Sequence, residues 1–125
     1  MTTTYAPILL FVYNRPQHVC NVVQSLLQNA LAAESDIFIY SDAPKSETDG
    51  KNVAEVREYI RTIKGFKTVT LIKRTENWGL ARSIIDGVTT QVNRFGRVIV
   101  MEDDLIAAPY FLQFMNDALE AYKDE

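Results

Sequence analysis

With 125 residues, 47% of them hydrophobic and 23% charged, the chain is long enough for one globular domain with a real core. A formal net charge of -3 argues against a nucleic-acid-binding surface, which is ordinarily basic. The single cysteine, Cys20, excludes an intrachain disulfide and fits a reducing compartment, so a cytoplasmic location is expected. Met1 to Pro7 carries no basic leader region, and the apolar run Ile8–Val12 is far too short for a signal-peptide core or a membrane span.

Ile8–Tyr13 reads as a buried strand that breaks at Asn14-Arg15-Pro16, and proline in a first helical turn predicts a helix from there. Val19, Val22, Val23, Leu26, Leu27 and Ala30 recur at spacings of three and four, which is one helical face. Cys20 borders that stripe as a small half-buried residue. His18, in the first turn, reads as a surface residue, because the chain offers no second histidine for an ordinary zinc site. Ile37–Tyr40 is a second strand ending in Ser41-Asp42, followed by a polar loop from Ala43 to Gly50. Val53, Val56, Ile60 and Ile63 mark a second helix closed by Lys64-Gly65. Val69–Ile72 is the third strand, and Lys73 and Arg74 form its solvated end. After a loop from Thr75 to Gly79, in which Trp78 either stacks on a ligand ring or packs the loop onto the sheet, Leu80, Ile84, Val88 and Val92 give a third helix.

Phe95-Gly96-Arg97 turns into the fourth strand, Val98–Met101, a continuous apolar run of the kind buried on both faces in a parallel sheet. Pro109 opens a fourth helix with Phe111, Met115, Ala118, Leu119 and Tyr122 on its inner face and Asp117, Glu120, Asp124 and Glu125 on its solvated one. The chain ends directly after this pattern with no stop signal, which suggests a piece of something longer.

Strand and helix therefore alternate four times. That order predicts an α/β fold, a Rossmann-like, mostly parallel sheet with right-handed crossovers and helices on both faces. Ligands of such sheets bind at the carboxyl ends of the strands, where strand order reverses. Asn14, Arg15, Asp42, Lys73, Arg74 and Glu102 to Asp104 all belong to that edge. No Gly-x-Gly-x-x-Gly follows the first strand and no P-loop pattern occurs, which excludes two common nucleotide sites.

The acidic triplet Glu102-Asp103-Asp104 carries the chemistry. Carboxylates cannot continue a buried strand unpaired, so they must meet solvent, a ligand or a cation. A hard cation, Mn²⁺ or Mg²⁺, relieves their mutual repulsion and takes one or two carboxylates plus phosphate oxygens. The alternative is an acidic turn capping the next helix. Arg15 and Arg82 suit a diphosphate, since arginine makes bidentate phosphate contacts; otherwise each is a surface charge. Asp42 stands either to accept hydrogen bonds from a base or ribose or to close an Asx-turn.

Pro7–Asp42 and Asn77–Tyr122 together resemble the nucleotide-binding half of a GT-A glycosyltransferase, closest to the N-acetylglucosaminyltransferase I group and its family-2-like relatives. The most specific block is Val98–Phe111, where Glu102-Asp103-Asp104-Leu105, Ala108-Pro109 and the following aromatics match that group's form of the Asp-x-Asp metal signature. Leu80-Ala81-Arg82-Ser83 resembles its Ala-Arg-His segment, and Asn77 to Arg82, with one residue fewer between Gly79 and Arg82, resembles the Asn-x-Gly-x-x-x-Arg segment of family 2; Ser83 replaces the histidine, so no contact is carried over for it.

The resemblance implies residues 1–125 as the nucleotide-sugar-binding portion of a GT-A domain. Asp104 and Asp103 become the metal ligands, and Glu102 and Asp103 contacts to ribose and donor sugar. Tyr13, Asn14, Arg15, Asp42 and Arg82 become nucleotide contacts. It further implies a UDP-sugar donor, Mn²⁺ or Mg²⁺, a carbohydrate or other hydroxyl acceptor, and a general base lying beyond this chain. The chain alone is then expected to transfer no sugar, and to expose apolar surface along the sheet edge or last helix through which it self-associates. Two other classes stay open, a nucleotidyltransferase on a related fold and a non-catalytic, Mg²⁺-binding receiver-like module. The first lacks its Gly-rich loop here, and the second its acidic pair after the first strand.

Overall fold

The computed structural model describes residues 4–123. Four parallel strands, β1 (Ile8–Val12), β2 (Asp36–Ser41), β3 (Thr68–Lys73) and β4 (Ile99–Glu102), lie in the order β3-β2-β1-β4. Between and after them run α1 (Pro16–Leu27), α2 (Glu47–Ile60), α3 (Leu80–Phe95) and α4 (Phe111–Ala121). The period-2 alternation of each strand divides the core in two. Ile8, Leu10, Val12, Ile37, Ile39, Ile99 and Met101 face α1, α2 and α4, while Leu9, Phe11, Phe38 and Tyr40 face α3. The predicted α/β, Rossmann-like parallel sheet with helices on both faces is therefore the fold found.

Several element readings are corrected. Strand β1 ends at Val12, and Tyr13 turns out of it to bond Asp49. Helix α1 stops at Leu27; Ala30 opens a separate 3₁₀ turn, Ala30–Glu34, and is exposed. Helix α2 begins at Glu47, inside the stretch read as loop, and ends at Ile60, before Ile63 and Lys64-Gly65. Helix α4 begins at Phe111 rather than Pro109, and Tyr122 is exposed; Asp124 and Glu125 lie outside the described residues.

Two corrections concern packing. Strand β4 pairs only with β1, so it is an edge strand, and Val100 is 40% exposed on the α3 side rather than buried on both faces. Leu105, Ile106, Tyr110 and Phe114 are exposed nearby in sequence, so apolar surface does lie open beside β4 and on α4. Helix α3 buries Ser83, Gly87 and Gln91, whereas Leu80 and Val92 are exposed. The reason is the sheet, not the helix. The Phe11 and Tyr40 rings stack with centroids 5.0 Å apart and fill the space where a large helical side chain would sit. A Cβ added at Gly87 would lie 2.9 Å from Phe11 Cζ and 3.0 Å from Tyr40 Cζ, so only glycine permits this approach. Gln91 donates to the Tyr40 hydroxyl at 3.0 Å, which lets a polar residue occupy the same buried stripe.

Buried asparagines close the fold. Asn116 accepts the Ala6 N–H at 2.8 Å, tying α4 to the start of β1. Asn29 accepts the Leu112 N–H at 2.9 Å and donates to the Ala108 carbonyl at 3.1 Å, and the Ser25 hydroxyl accepts the Ala107 N–H at 2.9 Å. The segment that follows the acidic triplet is thereby pinned to the end of α1.

Candidate functional site

Strand order reverses between β1 and β4: the chain leaves β1 toward β2 and returns to its other side only at β4. A cavity of about 320 Å³ opens at the carboxyl ends of these strands, at the topological switch point where open α/β sheets bind ligands. Its floor is the stacked Phe11 and Tyr40 pair. Tyr13, Asn14 and Arg15 come from the end of β1, Asp42 and Lys45 from the end of β2. Asn77, Gly79 and Leu80 come from the approach to α3, and Glu102, Asp103 and Asp104 from the end of β4. All but one of the predicted site residues thus converge on one cavity.

The exception is Arg82. Its guanidinium lies 3.9 Å from the centre of the Trp78 ring, and that of Arg74 lies 3.8 Å from it, so two cations flank one indole. Arg82 does not line the cavity. Arg74 is also unlike its expectation as a solvated strand end. Its side chain is only 9% exposed, pairs with Asp86 at 2.8 Å and leaves a buried Nε without a partner, whereas Lys73 is exposed. The Trp78 ring is held between these two guanidinium groups and does not line the cavity.

Asp42 is buried, and the chain itself occupies its carboxylate. Oδ1 accepts the N–H groups of Ala43 and Trp78, both at 2.9 Å. Oδ2 accepts the Gly79 N–H at 2.9 Å and the Asn77 amide at 3.3 Å. A carboxylate has about four acceptor sites, so none is left over for a base. The structure therefore favours the Asx-turn reading, enlarged into a clamp on the loop 77–79. Gly79 follows that loop at a φ of 81°, a left-handed conformation that glycine adopts without strain, and leads directly into α3.

The acidic triplet sits as expected at the cavity mouth, with Glu102 and Asp103 half-buried and Asp104 exposed. Burial raises the Asp103 pKa above the usual carboxylate value; Arg15 and His18 pull it down, and Asp104 and Glu102 push it up. Arg15, at the start of α1, therefore supplies positive charge facing the triplet. His18 and Arg15 are both exposed, and Cys20 is a free, half-buried thiol. Among the described residues no group of three or more His, Cys, Asp or Glu side chains is drawn together closely enough to hold a metal unaided. The donor set still suits a hard cation, because all three side chains are carboxylates and Mg²⁺-type sites take one or two of them plus substrate phosphates.

Sequence reasoning missed two residues that build the walls. Asp49 accepts the Tyr13 hydroxyl at 2.7 Å and the Asn14 amide at 2.9 Å. Those bonds, Tyr13 first, lower its pKa, while burial and then Asp49 raise that of Tyr13. The spacing Ser46-x-x-Asp49 is a helix-start signal that would have placed α2 correctly. Arg57 reaches from α2 to the Ser41 hydroxyl at 2.9 Å and to the carbonyls of Ser41, Asp42 and Arg74 at 3.0–3.2 Å. Desolvation lowers its pKa. Its only sequence trace is its place four residues after Val53, at the margin of the apolar stripe.

Residues 8–124 match the sequence pattern of glycosyl transferase family 2, and the chain belongs to that family. Its fold is that of GT-A glycosyltransferase structures. Similar solved structures include the crystal structure of S. aureus TarS, at a TM-score of 0.67 and 11% identity over 96% of this chain and 20% of that one. They also include S. aureus TarS 1-349, at a TM-score of 0.61 and 11% identity over 96% of this chain and 33% of that one. The chain thus spans a fifth and a third of these two structures. No curated protein matches it. No helix among the described residues is long and apolar enough to cross a membrane.

Proposed function

We propose that the cavity binds the nucleotide part of a nucleoside-diphosphate sugar, a UDP-sugar first among them, as the donor site of a glycosyltransferase. The observation that carries this reading is the convergence of the β1-end residues Tyr13, Asn14 and Arg15 with the triplet Glu102-Asp103-Asp104 at the switch point of the sheet. The ring pair Phe11 and Tyr40 offers an apolar floor, and Arg15 and Lys45 bring positive charge for the diphosphate. Asp104 and Asp103 are the carboxylates that would hold Mn²⁺ or Mg²⁺, with Glu102 beside the ribose or sugar.

When bound, the cation supplies Lewis-acid stabilisation of the departing diphosphate. The acceptor oxygen bonds to the anomeric carbon as the bond from that carbon to the diphosphate breaks, and the diphosphate leaves with the electron pair. If transfer inverts the anomeric centre, the acceptor proton goes to a carboxylate base within hydrogen-bond reach. Exposed Asp117 and Glu120 on α4 are not among the cavity residues, so the base is sought outside this set. The apolar surface beside β4 is expected to draw copies of the chain together, which sedimentation velocity over a concentration series checks. The reading is tested by titrating UDP-, GDP- and dTDP-sugars calorimetrically with and without Mn²⁺. Binding that requires Mn²⁺ supports it; no binding of any of the three overturns it.

A further inference from the structure

Asp49 lies outside every motif that pointed to the cavity, yet it holds part of its wall. It stands in the first turn of α2, and each carboxylate oxygen takes a different donor: Oδ2 the Tyr13 hydroxyl at 2.7 Å, Oδ1 the Asn14 amide at 2.9 Å. Tyr13 and Asn14 line the cavity, and Asp49 does not. The Tyr13 oxygen in turn accepts the Lys45 backbone N–H at 2.8 Å, and Lys45 lines the cavity as well. Tyr13 therefore joins the loop leaving β1 to the loop leaving β2, and Asp49 fixes the Tyr13 hydroxyl and the Asn14 amide from the start of α2. A phenol has one proton. Here it is committed to Asp49, and an oxygen lone pair is committed to Lys45, so what Tyr13 leaves for a ligand is its ring.

We propose that Asp49 is a positioning residue for the nucleotide. It acts on the ligand only through Tyr13 and Asn14, holding the two loops in one arrangement before the ligand arrives. This rests on the nucleotide reading above. A wall ordered in advance does not have to be ordered at the moment of binding, and that saving appears as affinity. The alternative is that Asp49 merely serves the helix, since an acid in the first turn stabilises it through the helix dipole. Glu47 separates the two, because it occupies the same first turn and, among the described residues, makes no side-chain bond to Tyr13, Asn14 or Lys45.

The experiment compares Asp49→Ala, Asp49→Asn and Glu47→Ala in the intact 125-residue chain. The Lys45 amide is followed by hydrogen exchange without ligand, and UDP affinity is measured by calorimetry with Mn²⁺. Asp49→Ala is expected to accelerate Lys45 exchange and to weaken UDP by about tenfold, the effect of losing one hydrogen bond to a charged group. Asp49→Asn keeps a neutral oxygen acceptor and should fall between. Glu47→Ala should move neither readout. Unchanged Lys45 exchange in Asp49→Ala overturns the proposal, as does faster exchange with unchanged UDP affinity. Failure of the wild-type chain to bind UDP would sink the nucleotide reading and this proposal with it. Equal binding by wild type and Asp49→Ala would sink this proposal alone.

Discussion

Replacing Asp42 by alanine tests the part of the cavity wall that this carboxylate holds together. The substitution removes the acceptor for three backbone N–H groups at 2.9 Å and one side-chain amide at 3.3 Å. Hydrogen bonds to a charged group contribute about 1.5–3 kcal/mol each, but loop donors released to water recover part of that. Counting only the two backbone bonds that hold Trp78 and Gly79, the loss comes to about 3–5 kcal/mol. Against a total stability of roughly 5–15 kcal/mol this is a large fraction. For a domain of this size it corresponds to a fall in Tm of about 12–20 °C, at roughly 4 °C per kcal/mol. Urea unfolding followed by tryptophan fluorescence reads the change, since Trp78 is the only tryptophan and lies in the affected loop. Amide exchange at Trp78 and Gly79 should accelerate in parallel. A loss below about 1 kcal/mol, the worth of a single ordinary hydrogen bond, would refute the clamp. So would an Asp42→Asn variant as stable as the wild type that has lost nucleotide affinity, because the carboxylate would then be reading the base directly.

The other outcomes address separate parts of the molecule. Asp104→Asn should abolish Mn²⁺-dependent UDP binding with little change in unfolding midpoint, because Asp104 is exposed at the cavity mouth; unchanged affinity by calorimetry would remove it from the metal site. Gly87→Val should destabilise by about 1–3 kcal/mol through overpacking on the Phe11 and Tyr40 rings. Gly87→Ala should cost less, because a gain of about 1 kcal/mol in helix propensity offsets the clash, and thermal melts of the pair check this order. Arg57→Met removes a donor from three carbonyls and the Ser41 hydroxyl, of which the Ser41 carbonyl keeps the Arg74 N–H, and should cost about 2 kcal/mol or more in urea unfolding. Asp49 has its carboxyl held below the ordinary range by Tyr13 and Asn14. Its contribution is therefore present above the unfolded carboxylate pKa and lost as pH falls through the depressed one. Asp49→Asn should flatten that acid limb in a series of melts across pH.

Fold order was legible because each strand shows as a short apolar run and each helix as an apolar stripe at spacings of three and four. Where periods failed, a neighbour had overruled them. Leu80 and Val92 fit a helical stripe, but the stacked Phe11 and Tyr40 rings select Ser83, Gly87 and Gln91 instead, and no local pattern in α3 announces rings on another element. Val100 reads like a doubly buried residue because sequence does not say which strand will lie at an edge. The cavity residues at strand ends were legible, since polar groups that stop an apolar run must come out at the sheet edge. Asp49 and Arg57 were not, because their partners are side chains and carbonyls that only the tertiary fold brings near. Arg82 misled for the complementary reason: a helix-start arginine can turn to a ligand or to an indole, and Trp78 stands in reach.

The β1–β4 pairing has a consequence for how the molecule comes to exist. Ile8 lies beside Ile99, so the floor and mouth of the cavity meet only when the first strand finds the fourth. Every pairing in this sheet is parallel and crosses a helix, and this one closes the longest loop, which places it among the slow, entropically demanding events of folding. Until β4 joins, the cavity lacks its Glu102, Asp103 and Asp104 side. Nucleotide capture would therefore report the joining of β4 to β1, and a rapid-mixing refolding experiment should find that signal lagging behind the helical circular dichroism. The site doubles as a timer for its own completion.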